Sequence, residues 1–309
     1  MTWFLIIAAA GVLLAAYYTY RTGFYMPTKR PDNALDAPEG EAYSAYEKRI
    51  RELIREFAAI PCEEVTIRAK DGTSLFGRYY HLSDGAPLQI QFHGYRGSGF
   101  RDFSGGGKLA RKMGHNILLV DQRSHGKSGG NTICYGIRAR WDCLSWAEYA
   151  ADRFGVDTPV FLSGVSMGAA TVLMASDLPL PDNVAGIIAD CPYSSPEAII
   201  RKVCGDMGYP QGLAYPFVRL GAFLYGGGLR LGESTAVKSV ADTRIPILLV
   251  HGGEDGFVPC HMSREIFEAA AGPVTFEVFP GADHAMSYMA DPKRYERMID
   301  CFVEECLNR

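Results

Sequence analysis

Three positions along this chain bring together residue types suited to acyl chemistry: a serine, a histidine and an acid. Gly164-Val165-Ser166-Met167-Gly168 spells G-x-S-x-G between an apolar run at 159–162 and a helix-forming stretch at 169–174. That order reads as strand, sharp turn and helix. The turn presents the Ser166 hydroxyl on a strained backbone, so its neighbours must be small. The first N–H groups of the following helix favour negative charge developing beside it. A second match, Gly126-Lys127-Ser128-Gly129-Gly130, follows the polar loop Asp121-Gln122-Arg123-Ser124-His125 and lacks this setting. Lys127-Ser128 also hints at a phosphate loop, but Asp121 stands where that pattern requires its first Gly.

A serine hydroxyl is a poor nucleophile at neutral pH, so a base must take its proton. Three of the seven His have useful context. His284 lies in Pro280-Gly281-Ala282-Asp283-His284-Ala285, a turn after the last apolar run, where an imidazole can reach across to a nucleophile. His93 and His125 adjoin Gly in loops and are expected to shape turns. The base needs an acid that fixes its tautomer. Asp255 follows the run at 247–250 and is the expected partner, with Glu254, Asp283 and Asp190 as rivals. An oxyanion requires preorganised N–H donors. One is expected from Met167, after the nucleophile. The second is expected from Tyr95 in His93-Gly94-Tyr95-Arg96-Gly97; the alternative is that Tyr95 is an ordinary exposed loop aromatic.

The elements that must position these groups are legible as short apolar runs. Segments at 65–67 and 75–80, separated by Lys70-Asp71-Gly72, predict a hairpin. Runs at 88–92, 116–120, 159–162, 184–189, 245–250 and 274–278 are apolar on consecutive positions, as suits strands covered on both faces. Helical patterns at 100–113, 141–153, 167–176, 264–271 and 291–307 alternate with them, which predicts an α/β fold with a mostly parallel sheet. Residues 194–243 break the alternation with Tyr209, Tyr215, Phe217, Phe223 and Tyr225 and no clear strand. They are expected to form a small helical cap whose aromatics line an apolar substrate pocket, or else helices that merely cover the sheet.

The N-terminus stands apart. From Trp3 to Tyr20 no residue is charged, and at about 1.5 Å per residue this run is just long enough for a bilayer core. Trp3 at one end and Tyr17, Tyr18 and Tyr20 at the other are placed as interfacial aromatics. Residues 1–25 are therefore expected to be a transmembrane anchor, with a signal peptide or a buried helix as the alternatives. Arg21, Lys29 and Arg30 follow the span, which favours a body on the cytoplasmic side. Residues 26–61 read as a linker, with Pro27, Pro31, Pro38 and Gly40, leading into an amphipathic helix carrying Ile50, Leu53, Ile54 and Phe57. Residues 62–309 form the main domain.

Composition narrows the function classes. The 309 residues are 48% hydrophobic and 21% charged, ordinary for a globular protein rather than a disordered one. A net charge of −4 with no basic stripe argues against nucleic-acid binding. Eight Cys with no C-x-x-C argue against a zinc knuckle and suit buried, reduced thiols.

With these motifs in order, the chain resembles the α/β-hydrolase superfamily over about residues 62–307. Ser166, Asp255 and His284 follow that fold's chain order of Ser, acid and His. His93-Gly94-Tyr95-Arg96-Gly97-Ser98, the stretch Asp121 to Gly130 and Ile245 to Gly252 are similar to serine hydrolases of the BAAT-like or dipeptidyl-peptidase-like groups that carry one N-terminal anchor. Ser124 departs from the Gly usual before that His. The resemblance implies an eight-stranded α/β-hydrolase fold and hydrolysis of small-molecule carboxylic esters, with thioesters or peptides as alternatives, through an acyl-enzyme, with no cofactor or metal. Acyl transfer to another acceptor and a non-catalytic, membrane-tethered binding protein are the competing readings.

Overall fold

The computed structural model describes residues 2–27, 34–38 and 40–309. Part of the expected linker, residues 28–33 with Pro31, Lys29 and Arg30, lies outside them. A helix α1 (Thr2–Gly23) opens the chain, followed by the short α2 (Glu41–Ser44) and the amphipathic α3 (Glu47–Ala58). As its spacing predicts, α3 buries Ile50, Leu53, Ile54 and Phe57.

The body is one eight-stranded sheet, in spatial order β1-β2-β4-β3-β5-β6-β7-β8. The antiparallel hairpin β1 (Glu63–Arg68) and β2 (Ser74–Tyr80) forms one edge. Beyond it run β3 (Leu88–Phe92), β4 (Asn116–Asp121), β5 (Val160–Val165), β6 (Val184–Asp190), β7 (Ile247–Gly252) and β8 (Val274–Phe279). β2 joins β4 antiparallel, and every pairing from β4 to β8 is parallel. β3, β4, β5 and β7 are buried at every residue, the pattern of strands with helices on both faces.

Those helices are α4 (Gly99–Asp102), α5 (Ser104–Lys112), α6 (Ala139–Phe154) and α7 (Met167–Ala175) in the first half. The expected helix at 100–113 is thus two, because Phe103 (φ −113°, ψ 17°) breaks the helical path between them. In the second half, α8 (Pro196–Asp206), α9 (Gln211–Tyr225) and α10 (Ala236–Val240) occupy the strandless stretch after β6. They are followed by α11 (His261–Ala269), α12 (Ser287–Ala290) and α13 (Pro292–Leu307). α7 is apolar all round and wholly buried, which fixes the turn before it rigidly against the sheet. All eight Cys are free.

α1 is long and apolar enough to cross a membrane. Its C-terminal half is seated on α9. Thr19 Oγ1 donates to the Phe217 carbonyl (3.1 Å), and Tyr17 and Tyr225 meet edge to face at 5.2 Å. A Cβ on Gly221 of α9 would collide with the Ala16 carbonyl, so the helices meet at backbone distance.

Candidate active site

Ser166 is the single residue between β5 and α7, with φ 54° and ψ −115°. A side chain at positive φ is strained by about 1–3 kcal/mol, and the fold must hold it there. Two glycines make the turn possible. A Cβ on Gly168 would overlap the Phe92 carbonyl oxygen, and one on Gly164 would overlap the backbone of Gly168 and Ala169. The Ser166 N–H donates to the Asp190 carbonyl at 2.8 Å, which ties the turn to β6. The hydroxyl then stands 3.0 Å from Nε2 of His284, in the turn after β8.

Nδ1 of His284 lies 2.7 Å from Oδ2 of Asp255, in the loop after β7. The other Asp255 oxygen accepts the N–H groups of Phe257 (2.9 Å) and Val258 (2.7 Å). Burial pushes this carboxyl up, but hydrogen bonds from His251 and His284 outweigh burial and hold it well below the usual carboxylate range. Asp255 is therefore ionised and can only accept. In the neutral imidazole the proton sits on Nδ1 of His284, and the Nε2 lone pair faces Ser166. His251 braces the same acid: its Nε2 is 2.8 Å from the Val258 carbonyl and 3.3 Å from Asp255 Oδ2. Because a carbonyl only accepts, that nitrogen carries the proton, and Nδ1 accepts from the Ser263 hydroxyl at 2.6 Å.

The rival acids have other tasks. Asp283 accepts the N–H groups of His284 (2.7 Å) and Gly256 (3.1 Å) and shapes the turn. Glu254 is exposed. Asp190 is fully buried; its Oδ2 accepts from the Tyr295 hydroxyl at 3.0 Å, and its Oδ1 has no partner among the described residues. Burial pushes its pKa up to about 6, against the opposing Tyr295 hydrogen bond. The native state then holds a proton that the unfolded state has lost between roughly pH 4 and 6, so Asp190 weakens the fold as pH rises through that window. The cost at neutral pH is on the order of 3 kcal/mol. Asp190→Asn keeps an acceptor for Tyr295 and is expected to raise the melting temperature at pH 7 by several degrees while flattening its decline between pH 4 and 6. Thermal unfolding across that range checks this.

The loop after β3 closes on Ser166. A Cβ on Gly94 would lie 3.3 Å from that of Ser166. On either side of Tyr95 the backbone is tied: the Gly94 N–H donates to Asp102 Oδ2 at 2.6 Å, and the Arg96 N–H donates to His125 Nε2 at 3.1 Å. The Met167 N–H opens α7, where the first N–H groups have no intrahelical acceptor. Asp102 is the positioning residue the sequence did not disclose. Burial pushes it up, but Arg101, His93 and the Gly94 N–H outweigh burial and keep its carboxyl below its ordinary value. His125 and His93 shape loops, as expected; His93 is fully buried, with Nδ1 2.8 Å from the Gly94 carbonyl and Nε2 accepting the Gln122 N–H at 3.1 Å. Ser128 is buried away from this site, donating to the Asp121 carbonyl and accepting the Phe76 N–H at 2.8 Å.

Two cavities meet at Ser166. One, of about 520 Å³, has mixed walls, in which Arg101, Asp102 and Lys202 stand beside apolar side chains such as Phe103, Leu109 and Met286. The other, of about 560 Å³, is apolar, bounded by Met167, Tyr193, Ile199, Tyr209 and Phe217. Of the five cap aromatics, Tyr209 and Phe217 face this second cavity. The other three do not, because α9 turns them to other faces. Tyr215 is buried under the Arg201 guanidinium, 4.1 Å from its ring centre. Phe223 is half exposed, and Tyr225 lies against Tyr17. Cys191 joins Asp255 and His284 in a trio with ligand atoms within 4.8 Å of one another. Burial pushes the Cys191 thiol up, away from the thiolate a metal needs, and the other two already bond each other.

A parallel sheet bearing a serine elbow at the end of its fifth strand, with acid and imidazole on the loops of the last two, is a hydrolase architecture. The chain belongs to the alpha/beta hydrolase family, whose sequence pattern it matches over residues 92–298. It is similar to the Bacillus subtilis protein YqkD, 26% identical over 62% of this chain and 63% of that protein. The rat lysophosphatidylserine lipase ABHD12 is 24% identical over 64% of this chain and 49% of its own length. Among solved structures, the Pyrococcus furiosus esterase Pf2001 superposes with a TM-score of 0.64 at 20% identity, over 81% of this chain and 93% of that one.

Proposed function

We propose that this chain is a serine hydrolase that cleaves carboxylic esters. The observation that carries the reading is the unbroken relay from Asp255 through His284 to Ser166, with separations of 2.7 Å and 3.0 Å. Ser166 Oγ attacks the ester carbonyl carbon as its proton passes to His284 Nε2. The new O–C bond converts the carbonyl into an oxyanion, held by the Met167 and Tyr95 N–H groups. The oxyanion collapses, the C–O bond to the alcohol breaks, and the alcohol leaves with the proton from His284. Water then loses a proton to Nε2 and attacks the acyl-enzyme, and the acid departs as Ser166 recovers its proton. No step requires a metal or an organic cofactor. The esterase among the structural neighbours and the lipase among the relatives support an ester as the substrate class.

α1 serves this hydrolase as a membrane anchor, and the basic residues Arg21, Lys29 and Arg30 after it favour a cytoplasmic body. The test is rapid mixing of the full chain with p-nitrophenyl butyrate. A burst of p-nitrophenol approaching one equivalent, before a slower steady state, is expected if deacylation limits turnover. Absence of any hydrolysis across acetyl, butyryl and longer esters would refute the proposal.

A further inference from the structure

A helix that only tethered the body would have no reason to line the cavity at Ser166, yet α1 does. The apolar cavity that includes Ser166 and Met167 has Ala15, Tyr18, Thr19 and Thr22 of α1 in its wall, together with Ala214 and Phe217 of α9. The C-terminal end of α1 is bonded to the loop that carries the Tyr95 N–H. The Tyr95 and Tyr135 hydroxyls both donate to the Gly23 carbonyl (3.1 and 3.0 Å), with their rings stacked at 5.5 Å, and Arg96 donates to the Thr22 carbonyl at 2.9 Å.

The length of α1 bears on where this cavity opens. Contact with α9 begins at Leu13, whose carbonyl accepts from the Tyr225 hydroxyl at 3.4 Å. The uncharged apolar stretch of α1 runs on through this contact as far as Tyr20, so the stretch suited to a bilayer includes the face seated on α9. For α1 to cross, the part beside α9 must also lie at membrane depth, and α9 goes with it. The outer side of this helix pair is built for that. Leu213 is 67% exposed, Leu224 45% and Tyr18 57%, and Met207 and Tyr209 just before α9 are also open. Tyr18, Met207, Tyr209 and Leu213 are cavity residues as well as exposed ones, so the cavity mouth and the apolar patch coincide.

We propose that α1 forms one wall of the acyl site, and that the α1–α9 cavity takes the hydrocarbon chain of a membrane-dissolved lipid ester directly from the bilayer. The inference deepens the serine-hydrolase reading and rests on it. The acyl chain lies along the joint wall of α1 and α9 with its carbonyl at Ser166. The other cavity at Ser166, of mixed lining with Arg101 and Lys202 in its wall, receives the alcohol portion. A cavity of about 560 Å³ is within the ordinary range for a small-molecule site.

The test uses the full chain in phosphatidylcholine nanodiscs and a dodecyl fluorophosphonate bearing a diazirine near the end of its alkyl chain. Ser166 displaces fluoride from phosphorus, and illumination then fixes the chain to whatever lies beside it. Cross-links within residues 13–22 of α1 and residues 207–217 are expected. Ser166 labelled with cross-links confined to other parts of the body, or labelled by a short-chain fluorophosphonate but not by the dodecyl one, overturns the inference. Failure of both probes to label Ser166 would instead refute the hydrolase reading. Ala15→Trp provides a second readout: the ratio of kcat/KM for palmitoyl over butyryl esters should fall by at least tenfold, and an unchanged ratio would contradict α1 as a wall of the site.

Discussion

Ser166→Ala is expected to lower kcat for a simple ester by about 10⁶-fold while leaving the protein folded. The magnitude follows from how the site divides its labour. In the proposed mechanism Ser166 supplies the bond-forming oxygen, and without it His284 and Asp255 have nothing to activate. The residual rate, about 10³–10⁴ over water, would come from the oxyanion donors and from binding. Stability should change little. Alanine inherits the positive φ of the elbow, so the strain persists, and among the described residues the side chain loses only its hydrogen bond to His284. Steady-state hydrolysis with circular-dichroism melting checks both halves. A large drop in melting temperature would mean that the hydroxyl is holding the turn together.

Asp255→Asn is expected to cost about 10⁴-fold in kcat, through a tautomer rather than a lost charge alone. Oδ1 of Asp255 is committed to the Phe257 and Val258 N–H groups. An asparagine must keep its oxygen on those two donors, which turns its NH₂ toward His284 Nδ1. The imidazole then accepts at Nδ1 and carries its proton on Nε2, so it presents a donor to Ser166 where a base is required. Because the three residues act as a unit, Asp255→Asn added to Ser166→Ala should cost almost nothing further. Measuring the two single variants and the double checks this. Multiplication of the two losses would mean that Asp255 acts independently of the serine.

Much of this arrangement was legible in the sequence, for reasons particular to each residue. A glycine is required at 164 and at 168 because any side chain there would strike backbone, so the elbow shows in composition as well as pattern. Consecutive apolar positions betray strands buried on both faces, and the parallel order follows from the helices between them. Asp255 and His284 stood out because each follows a strand in a turn. Asp102 did not, because an acid beside Arg101 in a short helix looks like a surface ion pair until Gly94 is seen to bond it. α1 was legible as an apolar helix but its seat on α9 was not. A run covered by lipid and a run covered half by protein have the same composition, and the small residues of the contact, Ala16 and Gly221, carry no pairing information. Tyr215, Phe223 and Tyr225 show the same limit. Aromatic content marks a helix that buries something, while the facing of each ring is set by the helix's rotation against its neighbours.

The most direct measurement is reaction of the full chain with a short-chain fluorophosphonate, followed by mass spectrometry of the peptides. One adduct per chain is expected, on Ser166, abolished by Ser166→Ala and slowed by orders of magnitude in Asp255→Asn. An adduct on any other residue, or none on folded wild-type protein at millimolar probe, would contradict the assignment of Ser166 as an activated nucleophile.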